Sequence, residues 1–133
     1  IGLKMRYSYS KDIKFNFLDT EKKVKDALFD VGFGVLTEIN MKEAFKMKLD
    51  LDYKNYKILG ACNPQLAHEA LGFEKLIGVL MPCNILVIDN EDKTTKIVFP
   101  KAESLLEVTD NKDVFVLSKK VDKLLLTAFN KIK

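Results

Sequence analysis

The stretch "ILGACNPQLAHEALGFEKLIGVLMPCNILVID", residues 58–89, decides the reading of the fold. An apolar run ends at Cys62, and Asn63 and Pro64 follow it directly. Asparagine is a preferred helix N-cap and proline fits the first helical turn. The spacing therefore predicts a strand over "YKILGAC" and a helix over "PQLAHEAL", stopped by Gly72. A second run, "IGVLMPCNILVID" (77–89), reads as another strand. It joins "TTKIVF" through the polar turn "NEDK", a hairpin signature.

Working outward, "LKMRYSYS" alternates enough to be a first strand, and "NFLDTEKKVKDALFDVGFG" reads as a helix. Val24, Ala27, Leu28 and Val31 recur at three and four, and Gly32 suits a left-handed C-terminal cap. "FGVLTEI" is a further strand. Asn40 followed by Glu43 resembles a capping box that opens a short helix, "MKEAFKMKL". Downstream, Pro100 opens a short helical turn through Leu106. From Lys112 to Ile132 a long helix carries Val114, Leu117, Val121, Leu124, Leu125, Ala128 and Ile132 on one stripe.

This order predicts one α+β domain over residues 1–133: a mostly antiparallel sheet with two main helices packed on one face. The strands "FGVL", "KILGA", "NILVI" and "KIVF" are apolar on both faces. A sheet covered on one side only should alternate. Both faces are therefore expected to be covered, the second by another copy of the chain in a homodimer. The alternative is that the short helices and loops suffice.

Composition excludes some classes. Apolar residues make up 47% and charged residues 31%, which marks a globular chain. Net charge is only +3, and 22 basic residues include a single arginine, Arg6. Nucleic-acid readers lean on arginine's planar fork, so the interspersed lysines read as a solvated surface and no nucleic-acid partner is expected. No apolar run reaches the roughly 20 residues that span a bilayer, so no membrane partner is expected. "IGLKMRYSYSKD" lacks the continuous apolar core of a signal peptide. Two cysteines without Cys-x-x-Cys spacing exclude a disulfide scaffold, a zinc ribbon and a thioredoxin motif, and suggest free thiols in a cytoplasmic protein. No phosphate loop, nucleophile elbow or paired-carboxylate site is readable, so the residues name no reaction, and whether the chain is an enzyme stays open.

The candidate site is Cys62, Asn63, His68, Cys83 and Asn84. Cys62 precedes a helix N-terminus, whose partial positive charge favours thiolate. Pro82 cannot donate to a sheet ladder, so it marks an edge, a strand start or a bulge. If the strands holding the two cysteines are neighbours, both thiols could face one pocket with the two amides and His68. Three readings stand. The site binds a small ligand or handles sulfur. The cysteines are core residues of a non-catalytic, dimerising interaction module. Or Cys62, Cys83 and His68 bind a metal.

"GFGVLTEIN", "YKILGACNPQLAHEAL" and "IGVLMPCNILV", in that order and spacing, resemble the domain-of-unknown-function family three-hundred-and-two. The resemblance covers roughly residues 5–132. It rests most on Ala-Cys-Asn-Pro and Pro-Cys-Asn. It implies a TATA-binding-protein-like α+β fold, strand–helix–four strands–helix, with crystallographic dimers and no established activity. Asn40 replaces the family's usual aspartate, Met81 a common leucine, and Phe99 stands where members often carry aspartate. The fold name implies no DNA binding.

Overall fold

The computed structural model describes residues 6–133. The part of the first predicted strand at residues 3–5 lies outside the described residues. The element order is β1 (Ser8–Ile13), α1 (Phe17–Asp30), β2 (Gly34–Asn40), α2 (Met41–Leu49), β3 (Tyr56–Cys62), α3 (Pro64–Phe73), a 3₁₀ helix (Lys75–Leu80), β4 (Cys83–Asp89), β5 (Thr95–Pro100), α4 (Ala102–Leu106), a 3₁₀ turn (Glu107–Thr109) and α5 (Lys112–Lys131). The fold is α+β, with one five-stranded sheet ordered β1-β5-β4-β3-β2 and antiparallel at every pairing.

Local chemistry sets the helix ends. The Asn16 side chain accepts from the Asp19 N–H at 2.8 Å and opens α1. The helix closes at Gly32, whose φ of +88° is open to a residue without a Cβ. The Asn40 side chain accepts from the Glu43 N–H at 3.1 Å, which caps α2. Its amide also donates to the Glu43 carboxylate at 3.0 Å. Asn63 caps α3 by accepting from the Leu66 N–H at 3.1 Å, with Pro64 in the first turn as expected.

The pleat sorts the strand residues into two sets. Leu59, Ala61, Ile85, Val87, Ile97 and Phe99 are buried beneath α1 and α5, which contribute Val24, Ala27, Leu28, Val121, Leu125 and Ala128 to the same core. A four-member ion network ties α1 to β2 and β3. Glu21 reaches Lys25 at 2.8 Å and Lys57 at 3.0 Å, and Glu38 reaches the same lysines at 2.8 and 3.4 Å. The opposite sheet face carries Ile39, Ile58, Leu86 and Val98 side by side in one cross-strand row. None of these four is fully buried. The expectation that both faces are covered is therefore not met within the chain. The strands alternate in burial although they do not alternate in polarity. On that side α2 leans on β3 through a Phe45–Tyr53–Tyr56 aromatic stack and buries no residue completely.

Three local expectations are corrected. Residues 77–80 are helical, not strand: Ile77 turns into a small cluster with Ala70, Val114 and Leu117, and a short apolar run fits a buried turn as well as a strand. Gly72 does not stop α3, which continues to Phe73. Pro100 closes β5 instead of opening a helix. The Asp122 carboxylate on α5, accepting from the Ala102 and Glu103 N–H groups at 2.6 and 3.0 Å, opens α4. Pro82 marks a strand start: it precedes β4, in the middle of the sheet. The sheet's irregularity lies between Val35 and Thr37 in β2. No helix among the described residues is long and apolar enough to cross a membrane.

Candidate functional site

β3 and β4 are hydrogen-bonded neighbours, so the two cysteine motifs meet at one end of the sheet. The register sets Ala61 opposite Cys83 and Gly60 opposite Asn84. Directly opposed residues share a face, so Cys83 lies with Ala61 on the helix-covered side. Cys62, one residue on, belongs to the other side. Pro82 packs over Gly60 there: a Cβ at Gly60 would meet the Thr37 hydroxyl and come within 2.7 Å of the Pro82 ring.

A cavity of about 420 Å³ curls around this end. Its wall includes Cys62, Asn63, Cys83 and Asn84, bringing together four of the five residues named from the sequence. His68 is not among them. It is exposed on α3, two residues from both Leu66 and Ala70, which face the cavity. Two residues turn a helix by about 200°, so His68 points away. Among the described residues no group of three or more His, Cys, Asp or Glu side chains is placed to hold a metal ion. The three-residue set of Cys62, Cys83 and His68 is thus not assembled.

The cavity lies where the main core meets the smaller cluster. Leu66 and Ala70 of α3, Ile77 of the 3₁₀ helix, Met81 and Leu117 of α5 form much of the wall. Sequence reasoning missed this wall because its members look like ordinary core. The one available signal was the four-residue spacing of Leu66 and Ala70, which turns both inward beside Cys62.

The electrostatics run against a reactive thiolate. Burial pushes the Cys83 thiol up to about 11, aided by the Asp122 carboxylate and by Cys62. Burial also pushes Cys62 up. Desolvation acts on Cys62 in the direction opposite to the lowering expected from the α3 N-terminus. Burial, with the Asp122 carboxylate and Cys83 as smaller causes, raises the Tyr9 phenol above its usual range. Its hydroxyl is enclosed, with no hydrogen-bond partner among the described residues. Asp122 itself is raised by burial, partly offset by the two N–H groups it accepts from. Both cysteines are free.

The sequence matches the model for the domain of unknown function DUF302 over residues 9–132. The chain belongs to the DUF302 family. Its fold is similar to the crystal structure of an uncharacterized conserved DUF302 protein from Bacillus stearothermophilus, at 28% identity and a TM-score of 0.87. That likeness covers 96% of this chain and 98% of the other. No curated protein matches the chain.

Proposed function

We propose that this DUF302 chain binds a small organic molecule in the cavity at the end of β3 and β4, with Cys62 and Cys83 forming wall rather than acting as nucleophiles. The observation that carries this reading is the cavity itself: about 420 Å³, within the usual size range of ligand sites, walled by several elements and joined by both cysteine motifs. The raised thiols favour the ligand-binding half of the sequence reading over the sulfur-handling half. Two free cysteines support a reducing compartment such as the cytoplasm.

The test is titration with a neutral fluorescent dye, Nile red, and with a blocked variant. Ala67 lines the cavity and is only partly buried, so Ala67→Phe can fill the space at modest cost to folding. The expected result is one dye per chain for the parent and at least tenfold weaker binding for the folded variant. Met47→Ser, on an exposed apolar position of α2, serves as control. Equal loss in both variants, or no dye binding by the parent, contradicts the reading.

A second reading concerns assembly. The row Ile39–Ile58–Leu86–Val98 leaves an apolar strip across the outer sheet face, with Ile39 at 49% exposure. This supports a homodimer formed through that face, with an apolar centre and polar margins such as Ser10 and the Asp12–Lys96 pair. Sedimentation at micromolar concentration should give a dimer, and Leu86→Lys a monomer. A parent that sediments as a monomer refutes the assembly.

A further inference from the structure

Among the described residues, no side chain lining the cavity carries a charge. Its polar side chains, thiols apart, are Tyr7, Ser8, Asn63 and Asn84. Asn63 already uses its carbonyl oxygen to cap α3. Asn84 is exposed where it borders the space, and its amide offers a neutral donor and a neutral acceptor. Lys101 sits between Pro100 and Ala102 in the chain, but it is absent from the wall and its charge acts on Asp122. The charged group that acts on Cys83 is the Asp122 carboxylate, of the same sign as an anionic ligand.

A carboxylate or phosphate entering this space would lose water and gain no cation from the described wall. Unpaired charge is the most heavily penalised thing to desolvate, whereas an apolar chain gains with every methylene. We infer that the ligand is a neutral lipophile: an uncharged apolar body with one neutral hydrogen-bonding end, such as an alcohol, ester or amide, held at Asn84. The cavity selects against the same body ending in an anion. At roughly 30 Å³ per water-sized group, the space takes about fourteen such groups, so a ten- to twelve-carbon alcohol is a fitting probe. This inference rests on the ligand reading above.

The experiment is displacement of bound Nile red from the full chain by octanol, decanol and dodecanol, and by decanoate below its micelle concentration. The alcohols should tighten about fourfold per methylene. At pH 8 decanoate should be at least about 100-fold weaker than decanol. The gap should shrink as the pH falls toward 5 and the acid becomes neutral. Asn84→Lys, which sets a cation at an exposed wall position, should narrow the gap at pH 8 by at least about tenfold. Decanoate competing as well as decanol at pH 8 overturns the inference and leaves the ligand reading standing. Failure of the dye to bind overturns both.

Discussion

Cys83 gives the sharpest quantitative prediction. In a Cys62→Ser variant it is the only thiol. Its value in the parent of about 11, against 9.0 for an ordinary cysteine, makes the thiolate about 100-fold rarer at neutral pH, and the substitution removes only the smallest cause, Cys62, leaving burial and Asp122 in place. A more basic thiolate is also a better nucleophile. With a Brønsted slope near 0.4–0.5, two units return roughly six- to tenfold. Depletion wins, and the native protein should react with a chromophoric disulfide reagent at least about tenfold more slowly than free cysteine at pH 7.5, before any loss from restricted access. In urea the same thiol should react at the free-cysteine rate. The native rate should keep climbing with pH toward 11, well past the point where free cysteine levels off. The same shift sets a stability profile. A group whose value is raised by folding contributes stability that is present below its unfolded value and lost as the pH rises through the folded one. Between about pH 9 and 11 the parent should lose on the order of 2–3 kcal/mol from this source, and Cys83→Ala should not. A native thiol that reacts faster than free cysteine at neutral pH refutes the wall assignment.

Other expected outcomes follow from single contacts. Gly60→Ala forces a methyl against the Thr37 hydroxyl and the Pro82 ring, and should cost about 1–3 kcal/mol in urea unfolding; an unchanged midpoint would show that these side chains move aside freely. Asp122→Ala removes the acceptor for the first two N–H groups of α4 and should cost about 0.5–2 kcal/mol, with amide exchange accelerated at Ala102 and Glu103; unaltered exchange there would contradict the capping role. Glu38 is held below the usual carboxylate range, first by its hydrogen bond to Lys25 and also by Lys57. Its contribution is present above its unfolded value and lost as the pH falls through the folded one. Glu38→Gln should therefore be less sensitive than the parent to acid below about pH 4.3, and an identical acid limb in the two proteins would show that the network adds nothing.

Much of this architecture was legible because its signals are local. "YKILGAC" matches β3 from end to end. Asn40, Asn63 and Gly32 do at the helix ends what their side chains, or the lack of one, suit them for. The stripe on α5 meets the core as its spacing implied, with Val114, Leu117, Val121, Leu125 and Ala128 buried. What escaped depends on distant partners. "IGVL" looked like strand because its apolar content is the same in a buried 3₁₀ turn. The cap of α4 comes from Asp122, twenty residues away, and no local pattern announces it. The condition that the two cysteine strands be neighbours is met, but sheet register decides which face each cysteine takes, and register is a property of pairing. His68 could have been turned outward from helical spacing alone, since Leu66 and Ala70 flank it at two residues. Cys62 differs for another reason. The helix dipole is readable from sequence, whereas the burial that raises the thiol is not.

The most direct measurement is a methyl-detected NMR titration of the full chain with decanol. Occupation of the cavity predicts saturating shifts at Leu66, Ile77, Met81 and Leu117, and unmoved signals at Leu18 and Met47, which lie exposed elsewhere. Shifts confined to exposed methyls, or an unchanged spectrum at saturating alcohol, would contradict the assignment of this cavity as the binding site.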